Sequence, residues 1–282
     1  MTRVRIDSSA RRSALRAAGT ATVLLLLAAA AAAAHDLFVV TDQFVVPERA
    51  TLTMRLLNGT FAQSENAVVR ARVRDASIAG PRGRLPIDLS GWSDAGDTSA
   101  FQVQVGATGT YAIGVSTAPA LIALTAEQFN EYLREDGVPD ILAQRRARNE
   151  LDKPARERYH KHVKAIVQVG DSLSNHYARV FGYPAEVVPL DNPYALRAGG
   201  TLRVRVRTNS QSLPNQLIVY GGRTSAGAPI GPRTVRSASD GTARIPIATS
   251  GAWYVKFIHM VRLESDTVDY ESRWASLTFT VR

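Results

Sequence analysis

Over much of this chain apolar and polar residues trade places at every step, a rhythm that specifies strands with one buried and one wetted face. Val69, Ala71 and Val73 alternate with Arg70, Arg72 and Arg74, and Leu202, Val204 and Val206 with Arg203, Arg205 and Arg207. Phe101, Val103 and Val105 alternate with Gln102 and Gln104; Tyr111, Ile113 and Val115 follow a glycine-containing turn. Trp253, Val255 and Phe257 share a face, and Ala275, Leu277, Phe279 and Val281 complete the series. Asn58-Gly59 and Asp240-Gly241 read as turns between runs. Short strands at this spacing predict a mainly β protein, with two antiparallel, immunoglobulin-like β-sandwich domains. The arginines between valines are then the solvated faces of half-buried sheets.

One stretch departs from this rhythm. Thr125-Ala126-Glu127-Gln128 fits a capping box, and Phe129, Tyr132 and Leu133 recur at helical spacing behind it. Gly137 ends that helix, Pro139 opens a second with Ile141 and Leu142 on its apolar side, and Lys153-Pro154 opens a third helical turn. A short helical insert is therefore expected at about residues 125–159, followed by a strand through Val163, Ala165, Val167 and Val169. The prolines before Asp191-Asn192-Pro193-Tyr194 mark a boundary, giving an N-terminal β domain over 35–185 and a C-terminal sandwich over 186–282.

Residues 1–34 read as a secretory signal peptide. A basic start leads into Val23-Leu24-Leu25-Leu26-Leu27 and an alanine tract, and Ala32-Ala33-Ala34 meets the small-x-small cleavage pattern just before His35. The formal net charge is +9. Five arginines against Asp7 place +4 of it in the leader and +5 in the rest, too mild an excess to indicate nucleic-acid binding. The chain has no cysteine, which excludes disulfides, thiol catalysis and Cys-based zinc sites. No nucleophile elbow, P-loop, zincin or dinucleotide motif occurs, so a non-enzyme outside the cytoplasm, periplasmic in a bacterium, is expected.

Several segments, in order, resemble the bacterial exported DUF4198 proteins, described as nickel-uptake substrate-specific components. They are Ala34-His35-Asp36-Leu37-Phe38, Asn58-Gly59-Thr60-Phe61, Tyr132-Leu133-Arg134-Glu135-Asp136-Gly137 and Arg156-Glu157-Arg158-Tyr159. They continue through residues 164–171, Val188-Pro189-Leu190-Asp191-Asn192-Pro193-Tyr194, Ile258-His259-Met260 and residues 270–279. The resemblance covers nearly all of the chain after the leader. It implies an extracytoplasmic β-sandwich protein that handles a divalent transition metal, Ni²⁺ or Co²⁺ first and Cu²⁺ next, beside an energy-coupling-factor uptake transporter. The chain departs from the family pattern at His160-Lys161-His162, which carries histidines where other polar or aromatic residues are usual.

Cleavage after Ala34 would give His35 a free α-amine beside its imidazole, a bidentate nitrogen chelate of the kind copper and nickel favour. His259, continuing the Trp253, Val255, Phe257 face, is its expected partner. Asp36 and Glu271 could complete the shell, although Asp269 and Glu271 also suit a solvated hairpin edge. On a strand His160 and His162 project from one face and could chelate; beside Lys161 and Lys164 they also suit a solvated basic patch. The expectation is a metal-binding accessory protein that presents its ion to a transporter. The rival is a β-sandwich interaction or carbohydrate-binding module without metal, which exposed tryptophans would favour.

Overall fold

Alternation determines which side chains share a face, and the topology decides what covers that face. A computed structural model describes residues 35–282, which form one compact unit; the expected signal peptide lies outside the described residues. The first strands are β1 (Asp36–Thr41), β2 (Val45–Val46), β3 (Thr51–Gly59), β4 (Val73–Gly80), β5 (Gly83–Pro86) and β6 (Ser93–Ala95). Then come β7 (Thr98–Gln104), β8 (Gly109–Thr117), β9 (Ala120–Leu124), helices α1 (Ala126–Glu135) and α2 (Pro139–Ala147), and the long strand β10 (Ala155–Val169). The rest is β11 (Ala185–Pro189), β12 (Thr201–Thr208), β13 (Gln211–Ser212), β14 (Leu217–Thr224), β15 (Pro229–Arg236), β16 (Thr242–Pro246), β17 (Gly251–Arg262) and β18 (Tyr270–Val281). The protein is mainly β, in several sheets without a closed barrel.

A ten-stranded sheet ordered β15-β14-β17-β18-β10-β8-β4-β5, with β2 and β9 also pairing β10, forms the centre. Two four-stranded sheets flank it, β1-β3-β7-β6 and β11-β12-β13 with β16. The expected division at residue 185 separates the two small sheets but not the large one. Strand parity shows that they lie on opposite faces. Val163, Ala165, Val167 and Val169 of β10 enter a core with Leu37, Val39, Leu56 and Phe101, while Ile166 enters a second core with Val204, Ile245, Trp253 and Leu277.

The central sheet is mixed rather than antiparallel throughout. β10 pairs with β18 in parallel, from Glu157↔Tyr270 to Ala165↔Thr278. A parallel pair needs a crossover, and β11 to β17 supply it. Because both faces of β10 are covered, Lys161 and Lys164 are buried, at 4% and 2% exposure, and form no solvated basic patch. Lys164 pairs with buried Glu186 at 2.9 Å.

The edge of β1 away from β3 lies against the central sheet, and the sheet's side chains serve its carbonyls. Ser276 Oγ donates to Leu37 O (2.7 Å), Thr278 Oγ1 to Val39 O (2.5 Å), and Lys161 Nζ to His35 O. Two hydroxyls of β18 thus satisfy backbone that the layer contact would bury unpaired.

Three local expectations are corrected. Arg70–Arg72 is a 3₁₀ turn with Val69 exposed, so the strand starts only at Val73, where pairing with β8 begins. Asn58-Gly59 ends β3 rather than turning a hairpin, and Asn58 pairs with Leu37. No third helical turn forms at Lys153-Pro154. Buried Arg145 binds the Glu150 and Lys153 carbonyls (2.7 and 2.6 Å), and Ala155–Tyr159 pairs with β9 instead. The Thr125–Gln128 capping box is present, and α1 buries Phe129, Tyr132 and Leu133 as its spacing requires.

Replacing Thr278 by Val keeps the shape and removes the donor to Val39 O. Thr278→Val should lower unfolding stability by about 1–3 kcal/mol, read as a lower urea midpoint with an unchanged slope. An unchanged midpoint would mean that the hydroxyl does not hold β1.

Candidate functional site

β10 carries polar side chains on both faces at the end where it meets β18, and two clusters result. On one face are the residues that begin the described chain. Pairing of β1 with β3 sets Asp36 opposite Gly59, and a bridge from Gly59 to Ser64 brings Glu65 back beside Asn58. His35 Nε2 meets Glu65 Oε2 at 3.1 Å. A carboxylate only accepts, so in the neutral imidazole Nε2 carries the ring proton and Nδ1 the lone pair. Lys161 Nζ donates to the His35 carbonyl and to Asn58 Oδ1 (2.9 Å), with the rings of Trp274 and Tyr159 at 5.3 and 5.6 Å.

Asp36 forms a part-buried ion pair with Lys256. Burial brings Lys161 down to about 8 and, with the Asp36 charge, raises Asp136 to about 7. Burial also lowers Lys256, but Asp36 and Asp136 outweigh it and leave the ammonium above its usual value. Glu157, buried and accepting from Tyr132 and Ser272, is raised by burial to about 7. Burying each such ion costs several kcal/mol before compensation. The fold concentrates this cost around His35 and Asp36.

The histidine cluster lies on the other face. Ser116 Oγ meets His162 Nδ1 at 2.8 Å, His162 Nε2 meets His160 Nδ1 at 3.1 Å, and the ring centroids are 4.9 Å apart. The two imidazoles therefore share a face, as a strand requires, but their facing nitrogens are engaged with each other. His160 Nε2 is buried without a hydrogen-bond partner, and Glu271 Oε1 is 3.9 Å away. Glu271 is no solvated edge: Arg158 and Arg273 hold it at 3.0 and 2.5 Å. Two guanidiniums on this carboxylate set the local charge against a cation there. Asp269 is held by Arg156 at 2.9 Å.

His259 stands in register with Arg273, and its Nδ1 meets Gln216 Oε1 at 3.3 Å. It lines a cavity of about 250 Å³ with Val138, Ile141, Leu213 and Met260. By parity His259 faces the Trp253 core, whereas His35 and Asp36 lie against the Lys161 and Lys256 face. The structure thus places the four residues expected to act together in three settings: His35 and Asp36 by Lys161, Glu271 between arginines, and His259 by Gln216. Among the described residues no group of three His, Cys, Asp or Glu side chains is arranged to hold a metal.

Sequence reasoning passed over Glu65, Asn58 and Lys161 as partners of His35. The signal available was the position of Asn58 and Lys161 within or beside the segments shared with the family. Of the tryptophans, Trp253 and Trp274 are buried, and half-buried Trp92 stacks near Phe101 with the Arg70 guanidinium over its ring.

Stability should respond to pH with two opposing slopes. Burial, reinforced by His160 and Arg273, pushes His162 down to about 3. Unfolded histidine titrates near 6.5, so the unfolded chain takes up a proton the folded one refuses, and stability falls as pH drops from about 6.5 toward 3. Glu157 acts oppositely: its contribution is full below the ordinary glutamate value and is lost as pH rises through about 7. Glu157→Gln, which keeps the acceptor for Ser272 and Tyr132, should gain stability over the parent between pH 5 and pH 8. His162→Gln should flatten the acid limb. Urea midpoints across that range measure both, and parallel profiles for parent and variants would contradict the assignments.

Comparison with known proteins adds a family but no activity. No curated protein matches the chain. Among solved structures, a tetra-tandem repeat in the extending region of a large adhesion protein aligns at 12% identity and TM-score 0.20, over 87% of this chain. The alignment spans 49% of that structure, about half its length, and at this score it carries no argument about the fold. A family model described as a domain of unknown function, DUF4198, matches residues 32–261, most of the chain. This protein belongs to the DUF4198 family.

Proposed function

We propose that the protein, once cleaved after Ala34, is an exported accessory protein that captures a divalent transition metal as cargo at its new N-terminus. Nickel or cobalt is the first expectation and copper the next, and the ion is passed to an uptake transporter in the membrane. The observation that carries this reading is the His35–Glu65 pair at 3.1 Å. Metal-bound histidines characteristically give their second ring nitrogen to a carboxylate, which fixes the tautomer and aims the other nitrogen. Here that leaves Nδ1 beside the α-amine that cleavage would create, and the two nitrogens close a chelate ring on one ion. The Lys161 contact to the His35 carbonyl supports the reading by holding the residue's backbone. Two immunoglobulin-like sandwiches on a shared sheet would serve as the rigid scaffold.

The donor set suits Ni²⁺ and Cu²⁺ over Mg²⁺ or Ca²⁺, because both donors are nitrogens. An α-amine titrates near 8, so affinity should rise with pH up to about that value and level off above it. Titration calorimetry of protein beginning at His35, against protein with one alanine added before it, is the direct test. Binding of one Ni²⁺, Co²⁺ or Cu²⁺ that disappears in the extended protein is expected. Glu65→Ala should weaken that binding about tenfold to a hundredfold. Equal binding in both proteins would move the site elsewhere, and no binding in either would end the metal reading.

A further inference from the structure

A larger cavity, of about 530 Å³, opens between β1, the loop at residues 60–65 and the β14–β17 pair. Its floor is apolar, from Val40, Phe44, Leu57 and Phe61. Phe61 is fixed there by Phe38 and Tyr254, with ring centroids 5.3 and 5.1 Å away. The loop is preformed. Thr60 Oγ1 accepts from the Ala62 and Gln63 amides, and Ser64 Oγ donates to Asp97 O at 2.6 Å. Such a wall needs no folding on binding, so an occupant would not have to offset its ordering.

The charge at the rim is one-sided. Arg55 is neutralised by Asp42 at 2.8 and 2.5 Å. Arg223, exposed and also at the cavity, has no ion pair or side-chain hydrogen bond among the described residues. Its register partner is Ala252, whose small side chain leaves the space beside the guanidinium open. A recess of several hundred Å³ that combines apolar side chains with a few polar groups has the usual form of a small-molecule site.

We propose that this cavity binds a small amphipathic organic anion, its apolar body against Phe44 and Phe61 and its carboxylate on Arg223. The inference stands apart from metal capture, since it uses neither His35 nor a processed terminus. Octanoate serves as the probe, with octanamide as its uncharged match, followed through backbone amide shifts on the full chain. Octanoate is expected to shift the amides of Phe61, Thr98 and Ala252 saturably, and octanamide to bind more weakly. Arg223→Gln, at an exposed position where the fold should be unaffected, should weaken octanoate about tenfold and leave octanamide unchanged. Ala252→Trp, with its fold checked by the unfolding midpoint, should abolish both by filling the space. Equal affinity of octanoate for the parent and Arg223→Gln would overturn the proposal, as would shifts elsewhere or no saturable binding of octanoate.

Discussion

A strand at the edge of a sheet leaves every second carbonyl without a backbone donor, and burying such an edge against another layer costs about 1–3 kcal/mol per unpaired group. β1 is in that position, and the carbonyls of Leu37, Val39 and the preceding His35 are met by Ser276, Thr278 and Lys161. These three bonds join the small N-terminal sheet to β10 and β18. They also decide where His35 stands, because the last of them is made by its own carbonyl. Closure of the layers and placement of the candidate metal ligand are therefore one arrangement, and a change in β18 would be felt at His35.

Much of the architecture was legible because parity is a strong local signal. The faces of β7, β12, β17 and β18 follow directly from their alternation, and the capping box at Thr125 located α1. The shared face of His160 and His162 followed from the same rule. What parity cannot provide is a neighbour. Nothing local distinguishes Lys161 in a solvated patch from Lys161 under β1, since the difference lies in a strand more than a hundred positions away. The parallel pairing of β10 with β18 was hidden for the same reason. Arg70–Arg72 shows the converse error, where a perfect alternation has no strand beside it and turns as a 3₁₀ helix. At the candidate site, the expectation at His35 came from its place after the alanine tract, whereas Glu65 gave no signal, because only the Gly59–Ser64 bridge brings it back.

The two polar clusters on β10 differ in what their charges are arranged to do. Around Glu271 the arginines saturate the carboxylate, and the neighbouring imidazoles stay neutral through burial. Around Asp36 the lysines instead hold a backbone carbonyl and one carboxylate, and His35 Nδ1 has no hydrogen-bond partner among the described residues. A buried ammonium with an amide and a carbonyl as its partners is costly for stability alone. Its bond to the His35 carbonyl links that cost to a fixed backbone position of His35.

The order of strands in the central sheet carries a further consequence, for folding in time. β18 is the final strand among the described residues, yet it lies in the middle of the sheet between β17 and β10. Until it is in place, β10 has no partner on one side over Glu157 to Ala165, and Leu37 and Val39 have no donors. The chain cannot build its sheet progressively from one end. Non-local pairing of this kind is slow, because loop closure must precede the contacts that reward it. β18 must therefore be available before the central sheet can close, so the strands that precede it wait for it and the sheet forms as a unit.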